Sequence, residues 1–136
     1  MKLKILLPLV IIATVLMAWK QNPPIVDFNE DKGKIKVLIL YPNEDGKSFD
    51  MDYYAKSHMP MVADLFGDYM KSYGIEKGVS GRTPEDPTTY VAIGYFYFDQ
   101  LSDYEKAFGS NAEKILGDIP NYTDIQPIVQ INEIVH

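Results

Sequence analysis

Beyond its first thirty residues the chain is a succession of short apolar patterns cut by turn residues. Residues 35–41 (Ile-Lys-Val-Leu-Ile-Leu-Tyr) are rich in β-branched and aromatic side chains and are closed by Pro42 and a turn-forming stretch to Gly46, which predicts a strand. From Asp50 the period changes. Met51, Ala55, His58, Val62 and Leu65 recur at about 3.6 residues, which predicts a helix that Asp50 caps and Gly67 ends. Pro60 falls inside it, where the ring removes one donor and crowds the carbonyl of Lys56, so a kink or break is expected there. Residues 69–77 predict a weaker strand with Tyr69, Tyr73 and Ile75 on one side, followed by an exposed loop marked by Gly78, Gly81, Pro84 and Pro87. Residues 89–98 predict the strongest strand, closed by Asp99. Ser102 and Glu105 read as a capping box for a second helix with the stripe Leu101, Tyr104, Phe108, Ala112 and Ile115, stopping at Gly117. After a loop over residues 120–124, residues 128–135 predict a last strand.

The order β-α-β-β-α-β over about a hundred residues predicts an α+β fold of ferredoxin-like topology, with an antiparallel four-stranded sheet. Its helices can cover only one sheet face, and the other should then alternate to polar residues. It does not. In the strand at 89–98, Val91, Ile93, Tyr95 and Tyr97 lie on one side, with Tyr90, Ala92, Phe96 and Phe98 on the other. Leu38 and Leu40 likewise oppose Ile35, Val37, Ile39 and Tyr41. An uncovered apolar face of this kind predicts a homodimer packed through the sheet.

Residues 1–20 hold Lys2 and Lys4 before an apolar run from Ile5 to Trp19, the pattern of a signal peptide or an N-terminal membrane anchor. Residues 21–33, with Pro23, Pro24 and mixed charge, read as a linker, and 34–136 as the folded domain. The domain is expected outside the cytoplasm, exported or held at the membrane through residues 5–19. Net charge is −6, and without Lys2, Lys4 and Lys20 the remaining ten basic residues face 19 acidic ones. That balance offers no basic stripe for nucleic acid. With no cysteine, disulfides, thiolate metal sites and a cysteine nucleophile are excluded.

His58 is the one histidine inside the domain, since His136 is the last residue. An imidazole titrates near neutrality and suits proton transfer, and Tyr54 stands one turn away. Two readings stand on the residues alone: a proton carrier, or a core histidine satisfied by Tyr54 or by the carbonyl freed at Pro60. Tyr95, Tyr97 and Tyr122 are candidates to orient a ligand, although core and interface packing explains most of the aromatics. Asp50, Asp52, Asp118 and Asp124 fit caps and turns as well as chemistry. No ligand spacing indicates a metal, and no nucleotide, flavin or nucleophile-elbow motif indicates a cofactor.

Several blocks carry a family resemblance. Residues 36–42 (Lys-Val-Leu-Ile-Leu-Tyr-Pro), 49–54 (Phe-Asp-Met-Asp-Tyr-Tyr) and 58–61 (His-Met-Pro-Met), then 90–99, 107–109 and 115–127, resemble EthD-type proteins of the dimeric α+β barrel superfamily, in order across the domain. The family is named for ethyl tert-butyl ether breakdown, and its members are often labelled reductases. The resemblance implies a small-molecule enzyme, by label an oxidoreductase in the catabolism of ethers or of aromatic or lactone-like compounds. It implies an apolar pocket between helices and sheet, with His58 and Tyr54 as the catalytic residues and His58 the acid/base, Tyr54 and Pro60 also fixing its place, and Met61, Tyr95, Tyr97 and Tyr122 towards the ligand. Three other functions remain open: an isomerase- or cyclase-type barrel enzyme, an exported dimer that binds ligands without transforming them, and, by analogy with distant barrel relatives, a haem-binding protein.

Overall fold

The structure is a computed structural model that describes residues 30–136. The expected signal peptide or anchor over residues 1–20 and the part of the expected linker before residue 30 lie outside the described residues. Among the described residues no helix is long and apolar enough to cross a membrane.

Four strands, β1 (Ile35–Pro42), β2 (Met70–Lys77), β3 (Tyr90–Phe98) and β4 (Ile128–Glu133), form one antiparallel sheet in the order β2-β3-β1-β4. The two strands richest in apolar residues, β1 and β3, occupy the centre. Past Glu133 the chain stays tied to the start of β1 by the Ile134 N–H on the Lys34 carbonyl at 2.9 Å.

The first helical stretch does not break at Pro60. It runs as α1 (Met51–Tyr53), one π-helical turn over Tyr54–His58, and α2 (Met59–Phe66). In the widened turn the Met59 N–H reaches back to the Tyr54 carbonyl, one residue further than in an α-helix. The extra residue accommodates Pro60 within the first turn of α2, where an imino ring is tolerated. It also resets the buried line to Tyr54, His58, Val62 and Phe66, four residues apart, while Met51, Ala55 and Leu65 move to the flank. Gly67 ends the helix at φ 52°, a backbone region that favours glycine.

The second stretch differs from its expected form in three ways. It splits into α3 (Leu101–Gly109) and α4 (Ala112–Asp118). At the joint Asn111 Nδ2 donates to the carbonyls of Ala107 at 2.8 Å and Leu65 at 3.3 Å, so its side chain takes over bonds that a continuous helix would make. The Ser102–Glu105 capping box does not form; Gln100 stands at the N-cap, its amide donating to Asp103 at 3.2 Å. Gly117 lies inside α4, and the helix ends one residue later at Asp118.

Val37, Tyr41, Ala92, Phe96 and Phe98 of the sheet pack against Tyr54, Met59, Val62, Phe66, Ala107 and Ile115 of the helices to make the core. The opposite face carries half-buried Leu38, Leu40, Ile93, Tyr95 and Tyr97 on the central strands, flanked on the edges by exposed Ser72, Glu76, Ile128 and Gln130.

Candidate active site: a buried histidine and its carboxylate

Two loops pair to build the site. The segment before α1 forms a single bridge between Phe49 and Thr123, and the Asp50 N–H donates to the Tyr122 carbonyl at 2.7 Å. Thr123 Oγ1 donates to the Ser48 carbonyl at 2.7 Å, and the Ser48 N–H donates to Asp124 Oδ1 at 2.9 Å. Asp50 meanwhile accepts from the Tyr53 N–H at 3.0 Å and starts the helix. The clamp brings the end of α4 and the following turn against the π turn. That is where His58 sits.

His58 is 4% exposed. Its ring lies 5.7 Å from that of Tyr54, nearly parallel at 18°, and 4.6 Å from that of Tyr122. Nδ1 lies 2.8 Å from Asp118 Oδ2. The same carboxylate accepts at Oδ1 from the Tyr53 hydroxyl at 2.8 Å and from Asn121 Nδ2 at 2.9 Å. Neither Tyr54 nor the Lys56 carbonyl satisfies the imidazole through a side-chain bond; Asp118, sixty residues away, does.

The electrostatics follow from this packing. Burial lowers the histidine pKa, and Asp118 offsets only part of that effect, so the imidazole is neutral near pH 7. Burial alone would raise Asp118, but bonds from His58, Asn121 and Tyr53 outweigh it and hold the carboxyl below the usual range. A neutral imidazole against an ionised carboxylate is the state a general base requires.

Three buried tyrosines extend the site inward. The hydroxyls of Tyr41 and Tyr122 are 2.6 Å apart. Burial pushes Tyr41 up to about 12 and raises Tyr54 and Tyr122 as well, so all three phenols stay protonated. The Tyr54 hydroxyl is buried with no hydrogen-bond partner, a condition that costs about 1–3 kcal/mol. It fits over β3 because residue 94 is glycine: a Cβ there would collide with it.

This arrangement has relatives. A family model described as EthD domain matches residues 46–126. The crystal structure of an EthD-like protein from Ralstonia eutropha JMP134 is 41% identical, covering 77% of this chain and 95% of its own, with a TM-score of 0.74. This chain belongs to the EthD family. An ethyl tert-butyl ether d (EthD) family protein from Bacillus halodurans C-125, 13% identical over 74% of this chain and 97% of its own, shares the fold at a TM-score of 0.53. No curated protein matches the chain. The fold is accordingly the ferredoxin-like α+β arrangement of the dimeric α+β barrel type.

Within this EthD domain the structure divides the sequence candidates. His58, Tyr54 and Tyr122 are brought together. Met61 lies beside Asp118 and Asn121 in an open groove of about 550 Å³ on the outer side of the helices. Tyr95 and Tyr97 stand on the far face of the sheet, because strand alternation turns them away from Phe96 and Phe98, and so they do not share a site with His58. A nearly all-apolar cavity of about 90 Å³ lies between sheet and helices, lined by Val37, Val62, Phe96, Phe108 and Ile115 among others. His58 is not on its wall; Tyr41 is, and the Tyr41 hydroxyl meets Tyr122 on the histidine side. No local spacing in the sequence marks Tyr41, Tyr53, Asp118 and Asn121 as partners of the histidine. Among the described residues no cluster of potential ligands could hold a metal ion.

Proposed function

We propose that this EthD-family chain is a small-molecule enzyme in which His58, backed by Asp118, moves a proton on an apolar or aromatic oxygenated compound. The observation that carries the reading is the 2.8 Å imidazole–carboxylate contact buried among aromatic rings, with the carboxylate itself held by Tyr53 and Asn121. A histidine kept only for packing needs one acceptor. Here the acceptor is a charged group with its own supports, and the imidazole stays neutral and able to take a proton. The apolar cavity suits the hydrocarbon part of such a compound, and Tyr41 forms the wall between that cavity and the Tyr122–His58 pair. Proton transfer of this kind serves isomerases, cyclases and reductases alike. A reductase reaction would in addition require electrons from a separate donor.

The test is an unbiased ligand screen by native mass spectrometry on the purified domain, followed by turnover of each hit. His58→Ala should lower turnover by about 10²–10⁴. Full turnover in that variant defeats the assignment. Hits that bind and are never consumed point to a binding protein instead.

We further infer that the chain pairs with a second copy through its open sheet face. What supports this is the apolar content of that face, with Leu38, Leu40, Ile93, Tyr95 and Tyr97 on the central strands, exposed Ile128 extending it onto β4, and polar Ser72, Glu76 and Gln130 elsewhere on the edges. An apolar centre within a mostly polar rim is the anatomy of a protein interface. The Lys36 ammonium lies 4.4 Å from the centroid of the Tyr95 ring, which keeps its charge on an aromatic surface within the patch.

A further inference from the structure

We propose that Tyr53 and Asn121 are positioning residues that lock His58 into the Nδ1–H tautomer and so make Nε2 its reactive nitrogen. The argument is a count of lone pairs. An ionised carboxylate only accepts, and each oxygen offers about two sites. Asp118 Oδ1 receives the Tyr53 hydroxyl at 2.8 Å and the Asn121 amide at 2.9 Å. Both of its sites are thereby filled. Asn121 Nδ2 also lies 3.5 Å from the Tyr53 hydroxyl, so the two donors brace one another.

What remains to face the ring is Oδ2, at 2.8 Å from Nδ1. An acceptor at that distance requires a proton on Nδ1 in the neutral imidazole, and the lone pair then resides on Nε2. Either oxygen of the carboxylate would select the same tautomer, so what Tyr53 and Asn121 fix is its place against Nδ1; without them the group could swing off the ring and leave Nδ1 without an acceptor. With both in place it is held at three points.

The placement has a backbone logic as well. Tyr53 is the last residue of α1 and Tyr54 the first of the π turn, so consecutive side chains serve the pair from two sides. Tyr53 holds the carboxylate, while Tyr54 stacks on the imidazole. Asp118 ends α4, and Asn121 ends the 3₁₀ turn that follows, Ile119–Asn121. The carboxylate and its amide brace therefore come from one short segment.

The consequence for catalysis rests on the acid/base role proposed for His58, but the test does not. The full chain labelled with ¹⁵N-histidine carries two imidazoles, His58 and the exposed C-terminal His136, and the second is a built-in reference for an unconstrained ring. Two-bond ¹H–¹⁵N spectra at mildly alkaline pH should show, for His58 alone, a pyrrole-like Nδ1 and a pyridine-like Nε2. In Tyr53→Phe and in Asn121→Ala the two nitrogen shifts should move towards each other, with the Nδ1–H preference falling several-fold. Asp118→Asn, whose amide can donate to Nδ1, should reverse the pattern. Unchanged melting temperature alongside a changed tautomer separates positioning from a general structural role.

A wild-type ring in the Nε2–H form, or one averaged like His136, overturns the proposal. So do Tyr53→Phe and Asn121→Ala spectra identical to wild type. Loss of turnover in His58→Ala without these signatures would retain the acid/base reading and discard this one. The signatures without any effect of His58→Ala on turnover would do the reverse.

Discussion

The two faces of the sheet use tyrosine in opposite ways. Under the helices, Tyr41, Tyr54 and Tyr122 are buried with their rings 5.2 to 6.0 Å apart, and their hydroxyls meet each other or nothing. On the open face, Tyr95 and Tyr97 are half-buried, 5.8 Å apart, with a lysine above them. Each face even has its own glycine beneath a tyrosine: Gly94 under Tyr54, Gly74 under Tyr95. A dry phenol beside an imidazole is a setting for proton chemistry, whereas a half-exposed phenol combines apolar area with a wet tip and suits an interface. The same residue type thus marks a candidate reaction site on one side and a candidate docking surface on the other.

The sharpest way to break this contrast is to charge the open face. Leu38 lies on β1, paired with Tyr95 and Gln130, at the centre of the apolar patch. Leu38→Lys should turn a dimer into a folded monomer in sedimentation or light scattering, because burying an unpaired ammonium costs several kcal/mol. Should the wild-type domain itself run as a monomer at high concentration, the interface reading is wrong.

The two glycines make a matched pair of smaller effects. Gly94→Ala drives a methyl group into the Tyr54 hydroxyl, and that ring is enclosed by Tyr41, Phe49, His58 and Tyr122. The expected loss is about 1–3 kcal/mol, read as a lower denaturant midpoint. Gly74→Ala meets only the far end of Tyr95, which stands at a half-open surface and can swing aside. Its folding stability should change by less than about 1 kcal/mol, while dimer affinity should weaken because Tyr95 is displaced. Equal folding losses at the two positions would mean the faces do not differ in packing freedom.

Much of this plan is legible along the chain. Strand positions follow from β-branched and aromatic runs, and the alternation in β3 correctly separates Phe96 and Phe98 from Tyr95 and Tyr97. Periodicity finds both helical stretches but misplaces their details. The π turn shifts the buried line by inserting one residue, which a fixed 3.6 period cannot show. Asn111 ends α3 by reaching carbonyls on two different helices, a tertiary event with no local marker. The site follows the same rule. His58 stands out by being alone in its domain, and its neighbour Tyr54 by spacing. Asp118 was visible only as a carboxylate near a helix end, and its role depends on a loop clamp between residues 48–50 and 122–124.

The smallest expected effect concerns pH and also bears on the contrast, since the helix side holds the buried imidazole. The folded-state pKa of His58 is lowered from 6.5 by burial, with Asp118 opposing that shift in part. Between the folded and unfolded values the unfolded chain binds the extra proton, so stability is complete above about pH 6.5 and declines as pH falls through the lower folded value. Asp118, also lowered, adds a loss of the same sign further down, in the carboxylate range. His58→Gln should remove the first decline and leave a smaller second one, since Asp118 keeps its bonds from Asn121 and Tyr53, and urea midpoints measured from neutrality to well below the ordinary carboxylate value of 3.8 resolve the two. Tyr95→Phe on the open face should leave the whole profile as in wild type. If His58→Gln retains the first decline unchanged, the group responsible is not the buried imidazole.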